Sequence, residues 1–223
     1  MSLYTLSSLQ PFQSRKKPAG LRIEKSRDIH LLSFLGNISV DEVCNRFAND
    51  HITFVAFMND QPAAFGWMAR STARIGELNH EFILPEQNRY LWNFRTLEAY
   101  RGLGIYPALL QYILQNEKEK ANRFWIIHAP ENNASLKGIK KAGFQFVGKL
   151  YINRNEQVMI EENAVSLSHR KLLKHMNIEL SEQSSASCWN CSSPYLKKRK
   201  ARCCCNENGN ECIGNNLHAL AYL

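Results

Sequence analysis

The segment Tyr100-Arg101-Gly102-Leu103-Gly104-Ile105-Tyr106-Pro107 restricts what this chain can fold into more than any other stretch. The run Tyr90 to Leu97 precedes it as a strand, and Leu109, Leu110, Ile113 and Leu114 follow at helical spacing. Strand, glycine turn and helix is therefore the expected order, with Pro107 at the first helical position and the helix running to about Glu119. Such a turn aims unpaired N–H groups and the positive end of a helix dipole at one point, which suits an anion. Gly102 and Gly104 let the backbone come close to that anion, and Arg101 can add a charge-assisted contact.

Around this centre the chain alternates between strand and helix patterns. Leu21-Arg22-Ile23 reads as a short strand, and Ser39-Val40-Asp41-Glu42 has the form of a capping box. Behind the box Val40, Val43, Cys44 and Phe47 share one helical face. Ile52 to Phe57 and Ala63 to Met68 flank the turn residues Asn59-Asp60 as an antiparallel hairpin, and Ala73 to Leu84 with Tyr90 to Leu97 make a further strand pair. Phe124-Trp125-Ile126-Ile127 reads as a buried strand, and Asn132-Asn133-Ala134-Ser135 supplies caps for a short helix ending at Gly143. Phe144, Phe146, Gly148, Leu150 and Ile152 alternate with polar residues as a half-buried strand. A strand over Gln157 to Ile160 and a helix over Ser166 to Met176 close the periodic region.

A chain of 223 residues holds one mid-sized domain and an appendage. The expected division is a mobile arm over 1–20, the domain over 21–180 and a tail over 181–223, set off by the Ser-rich stretch Ser181 to Ser187. Hydrophobic residues at 44% and charged residues at 22% exclude a disordered or fibrous chain. No apolar run approaches the roughly 18 residues of a membrane span, and the N-terminal basic cluster follows its apolar stretch, the wrong order for a secretory signal. The cytoplasm is the expected compartment. The net charge of +8 suits an anionic partner, a nucleotide cofactor among them. No base-reading pattern accompanies the charge, so a nucleic acid is not expected.

Tyr100 to Leu110 resembles the acyl-CoA loop and helix of the GNAT N-acyltransferase superfamily, written R/Q-x-x-G-x-G/A, with Tyr106 in the sixth position. Asn132 through Phe144 resembles that family's second motif, N-x-x-A/S followed by a short helix and Gly-Phe. The likeness covers about Leu21 to Ile152 and implies an α/β GNAT fold, a mixed central sheet with helices on both faces. It implies acetyl-CoA as co-substrate and a primary amine of a small molecule or peptide as acceptor. Amides of Arg101, Gly102, Leu103, Gly104, Ile105 and Tyr106 would hold the pyrophosphate; Thr96, Leu97 and Glu98 would line the pantetheine and acyl arm, with Asn132 and Ser135 opposite. Two departures stand out: Tyr106 replaces a small residue, and Ile139 occupies the place of a tyrosine that protonates the departing thiolate in many members.

Acyl transfer to an amine needs a neutral amine, a stabilised oxyanion and a fate for the thiolate. An alkyl ammonium titrates near the lysine value of about 10.4, so a base must take a proton first. His80, Glu77 and Glu81 are candidates, with His128 a rival, although each can equally be an ordinary polar residue of a hairpin or strand end. The Leu97 amide is the expected oxyanion donor by the resemblance, and Ser135, then Tyr106, the expected donor to the thiolate. Trp92 and Phe94 either shape an acceptor pocket or pack the core. A non-catalytic acyl-CoA sensor is the competing reading.

In the tail, Cys188-x-x-Cys191 is followed by Cys203, Cys204, Cys205 and Cys212, with His218 beyond. A tetrahedral zinc site needs four such ligands, so Cys188, Cys191, Cys203, Cys205 and Cys212 are the metal candidates. The spacing lacks a second C-x-x-C, and an oxidisable tail is the alternative. The basic run Lys197 to Lys200 reads as a solvated face or a contact for an acidic partner.

Overall fold

The computed structural model describes residues 1–12, 17–129, 132–153 and 155–183. Its elements are β1 (Ser2–Ser7), β2 (Leu21–Ser26), α1 (Ile29–Gly36), α2 (Val40–Ala48), β3 (His51–Met58), β4 (Gln61–Ala69), β5 (Thr72–Ile75), β6 (His80–Ile83), β7 (Asn88–Thr96), α3 (Ile105–Glu117), β8 (Arg123–His128), α4 (Asn133–Lys141), β9 (Gln145–Ile152), β10 (Val158–Glu161), α5 (Leu167–His175) and β11 (Glu179–Ser181). Among the described residues nine strands form one sheet in the order β11-β10-β9-β1-β8-β7-β4-β3-β2. Neighbours run antiparallel except β7 beside β8 and β10 beside β11. Among the described residues no helix is long and apolar enough to cross a membrane.

Alternation along the central strands divides the core between the two faces. Leu91, Phe124 and Ile126 pack with Ile105, Leu109 and Ile113 of α3 and with Leu136 and Ile139 of α4. On the opposite face Val55, Phe65 and Trp67 pack beneath Leu32 and Leu35 of α1 and Val43 of α2. Farther along that face Tyr90 and Trp125 meet Leu78 and Phe82 of the β5–β6 region and Leu173 of α5. Local signals fix the helix ends: the Asp28 carboxylate accepts the Leu31 N–H at 2.9 Å, and the Ser39 hydroxyl accepts that of Glu42 at 3.1 Å.

Four expectations are corrected. Residues 2–7 are not a mobile arm but the strand β1, paired antiparallel with both β8 and β9 in the middle of the sheet. Met1 and Leu3 pack on the α5 side and Tyr4 and Leu6 on the α3 side, so both faces of β1 are buried. Its polar residues conceal this in the sequence, yet Thr5 is satisfied by donating to the Phe124 carbonyl at 2.9 Å. Second, Ala73 to Leu84 does not pair with β7; it folds on itself as the separate β5–β6 hairpin. Third, Pro107 stands two residues inside α3, which begins at Ile105, still within the first turn, where an N–H has no helical partner to lose. Fourth, the β1 pairing carries the domain back past residue 21. The metal candidates Cys188, Cys191, Cys203, Cys205 and Cys212 lie outside the described residues, among which no cluster of three or more metal-ligating side chains occurs.

Candidate active site

β7 and β8 run parallel from Asn88 opposite Arg123 to Leu91 opposite Ile126, and there their pairing among the described residues stops. Beyond that point β8 stays with β1, through Ile127 opposite Leu3 and His128 opposite Ser2. β7 stays with β4, through Phe65 opposite Arg95 and Ala64 opposite Thr96. The strands thus diverge into a cleft. A bulge sets the new course of β7, since Trp67 faces Trp92 while Phe65 faces Arg95, one residue more on β7 than on β4. Asn93 supplies the turn at φ 50, a left-handed conformation that asparagine tolerates better than most residues. Gly66 lies opposite, and a Cβ there would come within 2.1 Å of the Phe94 ring. Gly66 therefore seats Phe94.

At the end of β7 the chain turns through Glu98–Tyr100 into the glycine loop. Gly102 at φ 82 and Gly104 at φ 75 take left-handed conformations, and Gly104 caps α3 without a side-chain hydrogen bond. Among the described residues, a Cβ on either glycine would meet nothing within 4 Å. No acidic residue stands in the first turn of α3 to occupy its N–H groups. The loop therefore presents amides to open space at a helix N-terminus, which is where a phosphate oxygen binds favourably. Arg101 turns back from that space: its Nε donates to the Thr96 carbonyl at 3.4 Å, and its Nη1 lies 3.7 Å from the Glu98 carboxylate.

The Leu97 amide is not open to the cleft, which corrects its expected role as oxyanion donor. Its N–H donates to the Ala63 carbonyl at 2.8 Å, toward β4. By strand alternation the Thr96 amide points the other way, to the edge that β8 has left.

Across the cleft, Asn132 is the N-cap of α4, and its Oδ1 accepts the Ser135 N–H at 3.0 Å. His128 Nε2 donates to the Asn132 carbonyl at 2.9 Å, and burial pushes its pKa below 6.5, so a neutral imidazole ties the end of β8 to the start of α4. Tyr106 bridges the two sides. Its ring meets Phe94 edge-on at 5.5 Å, its hydroxyl is 3.4 Å from the Ser135 hydroxyl, and burial raises its pKa. The bulk at position 106 is matched by Gly138 of α4, where a Cβ would lie 2.3 Å from the tyrosine ring. Ile139 is fully buried in the core.

The proposed bases stand on the other face. His80 stacks on Phe82 at 5.5 Å, and its Nε2 donates to the Met176 carbonyl at 2.8 Å. Glu81 is exposed on β6, and Glu77 acts on the buried Tyr90 hydroxyl, whose pKa burial chiefly raises. The structure therefore groups Thr96, Tyr106, Asn132 and Ser135 on the α3 side and Glu77, His80 and Glu81 on the hairpin side. Residues missed from sequence are Asn93, Gly66 and Gly138, although an asparagine and a glycine inside strand patterns are themselves signs of a bulge or close approach.

A model of the acetyltransferase (GNAT) family matches residues 23–144. No curated protein matches the chain. Among solved structures, a GCN5-related N-acetyltransferase from Kribbella flavida shares 12% identity over 65% of this chain, at a TM-score of 0.45. The match spans only 53% of that protein's length. A predicted acetyltransferase from Clostridium acetobutylicum, solved with acetyl-CoA, shares 21% identity over 61% of this chain and 97% of its own, at 0.43. AAC(6')-Iy, in complex with the bisubstrate analog CoA-S-monomethyl-acetylneamine, shares 15% over 60% of this chain and 97% of its own, at 0.48.

Proposed function

This chain belongs to the GNAT acetyltransferase family, and we propose that it transfers an acetyl group from acetyl-CoA to a primary amine of a small molecule or peptide. The observation that carries the reading is the parting of β7 from β8 directly before a glycine-rich helix start. In this reading the amides from Arg101 to Tyr106 hold the pyrophosphate, and the pantetheine arm runs into the cleft between Thr96, Leu97 and Glu98 on one side and Asn132 and Ser135 on the other.

The thioester carbonyl then lies against the Thr96 N–H, which is fixed by the strand and needs no reorganisation to stabilise the developing oxyanion. The amine approaches from the hairpin side, where Glu81 and the Nδ1 of His80 are the candidate proton acceptors. The Tyr106 hydroxyl, kept protonated by its burial, and that of Ser135 are hydrogen-bond donors for the departing thiolate. Calorimetric titration with CoA, together with thiol release from acetyl-CoA across an amine panel, tests the proposal. A second reading, a sensor that binds acyl-CoA without turnover, is favoured by the buried Ile139 where many family members carry a tyrosine. Tight CoA binding with no thiol release on any amine would select it.

A further inference from the structure

Where β7 leaves β8, the face beneath α1 and α2 carries an arginine–tryptophan cluster that packing alone does not account for. The Arg46 guanidinium lies over the rings of Trp67 and Trp92, at 5.1 and 4.6 Å from their centroids. Its Nε donates to Glu42 at 2.7 Å, but its Nη1 is shielded from water and has no hydrogen-bond partner among the described residues. The indole Nε1 of Trp92, the first residue of β7 beyond the last β7–β8 pair, is likewise shielded and without a partner among the described residues. Two buried donors left unmade side by side are costly to a fold.

Arg95 stands three residues farther along β7. It is exposed, and its Nη1 reaches the Leu35 carbonyl of α1 at 3.3 Å, which sets it on the same face. No carboxylate pairs with it among the described residues. The carboxylates nearby are already engaged, Glu42 by Arg46 and Asp50 by Arg70. This lip of the cleft thus has a surplus of positive charge and of N–H donors. A polycationic amine would meet like charge there, whereas an oxyanion would complete the donors.

We propose, on the reading given under Proposed function, that the acceptor is an amine that also bears a carboxylate, held by Arg95 at the lip and by the Arg46 and Trp92 donors within. A free amino acid and a peptide with an acidic residue share that chemistry, and the assay separates them. Acetyl-CoA turnover is measured on α-amino acids, on the same amino acids as carboxamides, on short acidic and neutral peptides and on polyamines, with CoA binding followed by calorimetry.

The expected result is a preference of about tenfold or more in kcat/KM for the carboxylate over its carboxamide. That ratio should shrink toward one in Arg95→Gln, which changes an exposed side chain, and in Trp92→Phe, which keeps a ring and removes the N–H. Turnover on polyamines or carboxamides equal to or above that on the acids, in a protein that binds CoA, would overturn this inference and leave the acetyltransferase reading standing. Absence of CoA binding would remove that reading and this inference with it.

Discussion

Gly104 caps α3 at φ 75, and a side chain there would be strained and would stand in the open space that the loop amides face. Gly104→Val should therefore cost about 1 kcal/mol of stability and lower CoA affinity tenfold or more. Calorimetry decides, since unchanged affinity would refute the loop as the pyrophosphate site. Asn93, at φ 50, has no glycine-like freedom but is the residue type best suited to that conformation after glycine. Asn93→Val should lower stability by about 1–2 kcal/mol and Asn93→Gly should nearly preserve it, as read by thermal unfolding. The two positions differ in how openly the sequence displays them. A glycine pair between a strand and a helix states its purpose, whereas an asparagine inside Leu91-Trp92-Asn93-Phe94 breaks a strand pattern without saying which way the strand will turn.

At the scale of elements, two aromatic side chains cross from their own element onto a glycine of the next: Phe94 onto Gly66 of β4, and Tyr106 onto Gly138 of α4. The second contact sets how closely α3 and α4 approach. Gly138→Ala alone should destabilise by about 1–3 kcal/mol through overpacking, while Gly138→Ala with Tyr106→Ala should cost less than the two single changes added together. Additive costs in the double-mutant cycle would show that the pair is not coupled. This exchange of bulk was half legible: Tyr106 declared itself by departing from the loop pattern, but its partner could not be found without knowing that α4 packs there. The same limit explains β1. Six residues rich in serine and threonine carry a weak apolar signal, and only their distant partners in β8 and β9 reveal that both faces are buried. The hairpin β3–β4, by contrast, was legible because its turn residues lie within one short stretch.

For the whole molecule, three histidines on different elements share one property. His51, His128 and His169 are each held below the ordinary 6.5, chiefly by burial. Below about pH 6.5 the unfolded chain therefore binds more protons than the folded one, and stability falls as pH drops. Above that value these groups contribute no further change. The urea midpoint should hold steady from pH 8 to 7 and decline from 7 to 5.5; a flat profile across the lower range would contradict the assignment of these rings as neutral. One sheet, continuous through β1, opens between β7 and β8, and in the proposed function this opening admits a thioester from the α3 side and an amine from the other. Thiol release from acetyl-CoA, run beside calorimetric titration of CoA, tests that claim most directly. Saturable CoA binding, with release that depends on an added amine and is lost in Gly104→Val, is the predicted result. A folded protein that shows no CoA binding would contradict it.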